Sequence, residues 1–557
     1  MTDLGRPAAS PASNSAASSA ASPAGGVTPA PVGRRAVLRA GALTAGALTT
    51  LGATSGVAAT SPQVRQAASA GGLVTRRLTL PSGVQSGDVT PRSAVLWARS
   101  SGRGRLVAHL RSGRRRRVVR GPWATDASDL TAKIALDGLA PGREWEAELA
   151  FEDEHGRRGE ARVARFSTPS MRPAATSFVW TGDTCGQGWG INPDLGGLRG
   201  YAAMHATRPD LFVHAGDTVY SDGPIAAEVV EPDGQVWRNL VIPEVTKVAE
   251  TLAEFRGRHR YNLMDDNVRA FYADTPVVAQ WDDHETTNNW WPGEVLTDER
   301  YTAERRVDVL AARARRAWQE WQPIADPRAH GRGSGFAEAR IYRKVSRGAH
   351  LDVFCLDMRT FKDPNTPGLE QERTSVLGRE QLDWLVREVR RSTATWKVIS
   401  ADLPIGLVVP DGSAQEGLAN RDPGAPLGKE QEIAEVLSAF KRHGVRNTVW
   451  ITADVHYCAA HHYDPARAGF TDFDPFWEFV AGPIASGTFG PNDLDGTFGP
   501  EVVFSKVAGT PGESPRAGNQ FFGHAAIDRA GLLTMSLRDQ SGAVLFSRDL
   551  EPQAATH

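Results

Sequence analysis

Four short stretches concentrate side chains able to hold metal ions. They are Asp183-Thr184-Cys185, His214-Ala215-Gly216-Asp217-Thr218-Val219-Tyr220, Trp281-Asp282-Asp283-His284-Glu285-Thr286-Thr287-Asn288-Asn289-Trp290, and Asp454-Val455-His456. Carboxylate, imidazole, thiolate and phenolate are all metal ligands, and their mixture narrows the metal. Phenolate and carboxylate oxygens are hard donors that favour Fe(III). A carboxylate-rich neighbouring position suits Ca²⁺, Mn²⁺ or Zn²⁺. A single aspartate between two ions can bridge them, and Asp217 is the best candidate. Taken singly, Asp-x-Cys is explained as well by a helix cap, and Gly-Asp by a turn. Asp-Asp-His-Glu is harder to dismiss, because four adjacent titratable groups are costly to bury without partners. Together, in this order, the stretches point to a metal centre.

Each stretch follows an apolar run that reads as a strand: 177–180, 211–214, 276–281 and 447–452. Further runs lie at 351–356 and 396–400, and 531–551 has the pattern of a closing hairpin. Between them, helical patterns occupy 201–207, 248–258, 302–321, 379–391 and 430–443. Apolar strands alternating with helices predict an α/β domain with a largely internal sheet. In such domains ligands gather beyond the carboxyl ends of strands, where all four stretches fall.

Upstream, the strand candidates 93–98, 105–110, 131–136 and 145–151 are short and separated by Gly/Pro turns, which predicts a small β-sandwich. Its Leu139-Ala140-Pro141-Gly142 turn before an aromatic strand resembles fibronectin type III modules. The run Arg114 to Arg117 reads as a solvated hairpin, with an anion-binding patch as the alternative. A chain of 557 residues predicts two folded units plus unfolded segments. A net charge of −2 gives no sign of a nucleic-acid partner, and three cysteines cannot all pair, so disulfides do not hold this fold together, although they leave room for one bridge. Residues 1–33 are low-complexity Ala, Ser, Pro and Gly. Residues 34–60 begin with Arg34-Arg35 and continue into an Ala/Leu/Gly run, the layout of a twin-arginine export signal. That run is a poor membrane span. The expected organisation is therefore a sandwich at 74–170 and a catalytic domain at 173–550, in a protein exported through the twin-arginine machinery, extracellular or cell-wall associated, and left without a transmembrane anchor.

The ordered set Asp-x-Cys, His-x-Gly-Asp-x-x-Tyr, Trp-Asp-Asp-His-Glu-x-x-Asn-Asn-Trp and Asp-x-His resembles the PhoD family of alkaline phosphatases and phosphodiesterases, within the calcineurin-like metallophosphoesterases. Gly-Asp-x-x-Tyr also resembles purple acid phosphatases. Gly83-Val84-Gln85-Ser86-Gly87-Asp88 and Leu356-Asp357-Met358-Arg359 extend the match over most of the chain. The resemblance implies an α/β (α+β) metallophosphoesterase core of β-sheets flanked by helices, preceded by the fibronectin-III-like sandwich. It implies Fe(3+) held by Cys185, Asp217, Tyr220 and His456, with Asp183 in or beside that shell. Asp217 would bridge to a divalent site of one or two Ca(2+), with Mn or Zn as alternatives. Asp454 and Asn288 are the candidates there, ahead of Asp283 and Asn289. Cys185 departs from the wider superfamily, where many members have His. The implied reaction is in-line attack by metal-activated hydroxide on a phosphate mono- or diester, without a phospho-enzyme. His284 would protonate the leaving oxygen, with Asp283 beside it. Two alternatives stand: a phospholipase D acting on phospholipid diesters, and a non-catalytic secreted surface-binding protein with a structural metal. Structural sites are usually closed by protein ligands, whereas a hard-oxygen set with an extra His favours an open one. Trp189, Trp290 and Trp291 either line a substrate pocket or pack in the core.

Overall fold

The computed structural model describes residues 77–324 and 340–554. The low-complexity region and the expected twin-arginine segment lie outside the described residues. Two large sheets dominate the fold. One has nine strands in the order Val544–Leu550, Leu533–Asp539, Phe521–Ile527, Thr176–Thr181, Phe212–Ala215, Val277–Gln280, Val84–Gly87, Ala94–Arg99, Thr131–Leu136. The other has seven, in the order Arg343–Ser346, Leu351–Cys355, Trp396–Ser400, Thr448–Thr452, Phe476–Val480, Cys458–Tyr463, Pro500–Lys506.

Period-2 alternation along the strands explains why two sheets form where the sequence reading expects one. Phe178, Trp180, Val213 and Val278 share a core with Val353, Val398, Val449, Ile451 and Phe479 of the facing sheet. Their neighbours Val179, Phe212, Val277 and Ala279 point the other way, into a core shared with the helices Arg199–Ala206, Leu252–Asn262, Asp266–Asp274 and Val307–Trp321. Phe354, Ile399 and Trp450 likewise face the helices Gly378–Arg391 and Glu430–Arg442. Strands apolar on both faces are what this four-layer packing requires. Among the described residues no helix is long and apolar enough to cross a membrane.

The upstream strands form a sandwich, but only half of it is a sheet of its own. Arg115–Ala124, Gly104–Ser112, Arg143–Glu152 and Arg158–Thr168 make a four-stranded antiparallel sheet. Its partner layer, Val84–Gly87, Ala94–Arg99 and Thr131–Leu136, is continuous with the nine-stranded sheet through a parallel pairing of Gly87 with Val277. The Trp97 indole also donates to the Glu320 carbonyl at 2.8 Å. The 531–551 hairpin forms as expected.

Candidate metal centre

Strands Thr176–Thr181, Phe212–Ala215 and Val277–Gln280 are parallel neighbours, so Gly182–Cys185, Gly216–Tyr220 and Trp281–Trp290 leave the nine-stranded sheet at one edge. Strand Thr448–Thr452 delivers Asp454 and His456 from the facing sheet. Asp183, Asp217, Asp454 and His456 all have left-handed backbone, with φ of 63°, 50°, 60° and 59°. Non-glycine residues there cost of order 1–3 kcal/mol each and persist where the surroundings over-determine them. Gly216 shows why a glycine precedes Asp217: at φ 112° a Cβ would meet the Asp282 Cβ at 2.6 Å.

Three groups of donor atoms converge, each within 4.8 Å: Asp183, Asp217 and His456; Asp217, Asp283 and His284; and Asp282, Asp283 and Asp454. Asp217 belongs to the first two. Tyr220 joins the first group, its Oη 2.6 Å from His456 Nε2 and 3.4 Å from Asp183 Oδ1. His456 Nδ1 donates to the Gly487 carbonyl at 2.6 Å, which leaves Nε2 with its lone pair toward the group.

The donor set fits a cation. Asp183 Oδ2 is buried without a hydrogen-bond partner, and a Cβ on Gly482 would collide with it. Burial, together with the charges of Asp283, Asp282, Glu285 and Asp183, pushes the Asp217 carboxyl far above the usual range. Burial likewise raises Asp282 to about 6, against the Arg359 guanidinium, and Glu285 to about 7 against its hydrogen bonds from Thr218 and Asp282. Tyr220 is driven up by burial and by Asp217 and Asp183. Such a cluster of buried acids calls for positive charge to ionise together.

The structure places the remaining expected residues differently. Cys185 is not within this donor set: it packs in the apolar core under the helices, where burial and the charge of Asp265 push its thiol well above the usual range. Asn288 is exposed, and its backbone N–H donates to Asp222 Oδ2 at 2.8 Å. Asn289, left-handed at φ 57°, donates its N–H to Asp283 Oδ2 at 2.5 Å and so anchors that carboxylate. Trp290 is buried against Trp281 and Trp189 against Trp237, so both are core; Trp291 is half-buried.

Three further residues escape the sequence reading. Asp222, buried two positions beyond Tyr220, holds His284 Nδ1 at 2.7 Å. Burial lowers the affinity of His284 for a proton, but the charges of Asp222, Asp283 and Asp282 outweigh it and raise the imidazole to about 10. The same imidazole stacks on the Tyr220 ring at 4.1 Å. Glu285 pins two loops by accepting from Thr218 N and Oγ1, both at 2.6 Å, and from Asp282 N at 2.7 Å. Arg359, fully buried, joins Asp282 at 2.6 Å, contacts Glu416, and lies 3.3 Å from Asp402 and 3.7 Å from Asp454. Glu416 in turn contacts Lys362. Asp222 closes the motif Gly-Asp-x-x-Tyr-x-Asp and Arg359 ends Leu-Asp-Met-Arg; those positions were the available signals.

Comparison with known proteins bears on the family and the fold. Residues 178–544 match the PhoD-like phosphatases and residues 66–165 their N-terminal domain. Alkaline phosphatase D of Bacillus subtilis (strain 168) is 26% identical over 432 residues, 73% of this chain and 69% of that protein. The solved structure of PhoD superposes with a TM-score of 0.62 at 19% identity, covering 85% of this chain and 92% of that one. A purple acid phosphatase from yellow lupin (Lupinus luteus) seeds gives 0.52 at 11% identity, covering 85% and 75%; at these identities the likeness is one of fold. With the family match spanning most of the described chain, the protein belongs to the PhoD-like phosphatases, a family of phosphate-ester hydrolases.

Proposed function

We propose that the protein is a secreted alkaline phosphatase/phosphodiesterase with two neighbouring metal positions. The first is held by Asp183, Asp217, Tyr220 and His456 and takes Fe(III), in keeping with its phenolate and carboxylate oxygens. The second is held by Asp217 and Asp283 of the second donor group, with Asp454 meeting Asp283 in the third, and takes a divalent ion, Ca²⁺ by its carboxylate oxygens. The observation that carries this reading is Asp217, whose carboxylate serves two adjacent donor groups. Bound cations supply acidification of a water and neutralisation of phosphoryl charge. The chain's own part is positional. His456 Nδ1, fixed by the Gly487 carbonyl, keeps Nε2 aimed at the first position. His284, fixed through Nδ1 by Asp222, keeps its other ring nitrogen free to hold a proton for the leaving oxygen. Arg359 restrains Asp282 beneath the second position. Export through the twin-arginine machinery rests on Arg34-Arg35 and the run that follows.

The test is turnover of p-nitrophenyl phosphate, bis-p-nitrophenyl phosphate and phosphatidylcholine by purified protein, before and after chelation. Phosphoester turnover that chelation removes and metal restores is expected, with a visible phenolate–Fe(III) absorption band lost in Tyr220→Phe. Turnover unaffected by exhaustive metal removal refutes the reading. Preferential phosphatidylcholine turnover replaces it with the phospholipase alternative.

A further inference from the structure

The β-hairpin formed by Gly104–Ser112 and Arg115–Ala124 takes no part in the metal centre, yet its second strand and turn carry charge of one sign only. From its turn onward it presents Arg114, Arg115, Arg116, Arg117 and Arg120 and no carboxylate, in a chain whose net charge is −2. Arg115–Ala124 is the edge strand of its four-stranded sheet. Arg114 to Arg117 are all exposed. Arg116 is satisfied by the carbonyls of Gly113 and Arg115, at 2.7 and 2.9 Å, and Arg117 by that of Asp137 at 2.9 Å. Among the described residues no ion pair joins Arg114, Arg115 or Arg116 to an acid. The nearest acid to Arg120 is Glu152 at 3.7 Å.

Charged side chains on an edge strand discourage sheet-to-sheet aggregation, and that alone accounts for one or two of these arginines. It does not account for what stands among them. Val118 is 55% exposed and Trp123 40% exposed on the same strand, and the Arg103 guanidinium lies over the Trp123 ring at 5.7 Å. An edge selected only for solubility has no use for an exposed valine and tryptophan. The pairing with Gly104–Ser112 shifts register between Arg120 and Trp123, so Arg116, Val118, Arg120 and Trp123 share one face of the edge strand while Arg115 and Arg117 lie on the other. A ridge of guanidinium groups with an indole and an aliphatic side chain among them suits a flat surface of phosphate head groups over an apolar layer.

We propose that this hairpin is a docking ridge for an anionic lipid bilayer, which would hold the folded protein at a membrane surface without a spanning segment. The arginines pair with head-group phosphates, and Trp123 and Val118 enter the interfacial layer. The inference is independent of the metal assignment.

The test is co-sedimentation of the purified protein with vesicles of phosphatidylcholine alone and of phosphatidylcholine mixed with phosphatidylglycerol. Binding to the mixed vesicles only, reversed by salt, is expected. The combined variant Arg114→Gln, Arg115→Gln, Arg116→Gln, Arg117→Gln should lose roughly a hundredfold or more in vesicle affinity. It should still hydrolyse p-nitrophenyl phosphate at the unmodified protein's rate, which shows that it is folded. Trp123→Ala should weaken binding with every arginine in place. Equal binding by the unmodified protein and the arginine variant overturns the proposal. So does capture of soluble polyphosphate without capture of vesicles, which would identify a polymer-binding surface instead.

Discussion

The contact between Asp222 and His284 supports a prediction that separates general-acid chemistry from metal binding. Asp222 is buried and accepts two hydrogen bonds, from His284 Nδ1 at 2.7 Å and from the Asn288 N–H at 2.8 Å. In Asp222→Asn only one side-chain atom can accept, so one of those donors loses its partner, and the negative charge facing the imidazole disappears. A hydrogen bond to a charged group is worth about 1.5–3 kcal/mol against about 0.5–1.5 for a neutral one. The difference of roughly 1–2 kcal/mol corresponds to about 5–30-fold in kcat at about 1.36 kcal/mol per decade. The loss should depend on the leaving group. An alkyl phosphate needs a proton on its departing oxygen, and should show the full loss. p-Nitrophenolate leaves readily without one, and should show little. Because Asp222 is among the charges that raise His284, the variant imidazole gives up its proton more readily. Activity on the alkyl ester should therefore begin to fall at lower pH on the basic side. The assay is a pair of pH–rate profiles, one per ester, with bound metal quantified in both proteins. Equal losses for the two esters with an unmoved basic limb refute the role of His284, and parallel loss of metal reassigns Asp222 to holding the centre together.

Two further predictions concern the charges beneath the site. Arg359→Met leaves Asp282 and Glu416 buried without their guanidinium partner and should destabilise the fold by about 3–5 kcal/mol, read from denaturant unfolding of the metal-free protein. Lys429 is buried, donating to Asn365 Oδ1 at 3.2 Å and to the carbonyls of Gln415 and Glu416 at 3.1 Å. Burial and the charges of Lys362 and Arg359 lower it to about 7, with Glu416 opposing. Above that pH the unfolded chain binds the proton that the folded one has released, so this lysine makes folding more favourable as pH rises from about 7 toward its ordinary value. The stability of the unmodified protein relative to Lys429→Met should therefore increase over that range, by at most about 1.4 kcal/mol per pH unit. A difference independent of pH would show that Lys429 stays protonated in the fold.

Much of this protein is local in origin. A continuous apolar run such as 177–180 or 447–452 makes a buried strand wherever it lies, and the polar residues just after it must then emerge at a sheet edge. Asp183, Asp217, Asp283, His284, Asp454 and His456 could thus be named from their neighbours alone, and the 531–551 hairpin from its alternation. Tertiary packing decided the rest. Whether the strands form one sheet or two depends on which face of Trp180 or Val213 meets which partner, and continuous apolar runs do not encode that. Left-handed backbone at Asp183 and at Cys185 redirects both side chains, so Asp183 enters the donor set while Cys185, two residues on, turns into the core. Arg359 lies 77 positions from Asp282 and 57 from Glu416, so its charge partners exist only once the two sheets have packed. Asp222 became legible only when the Trp281–Trp290 loop was laid against it. Residue types and spacing therefore announced a metal-binding phosphoesterase, while the orientation and charge balance of its centre came from contacts between distant segments, whose geometry is set by packing.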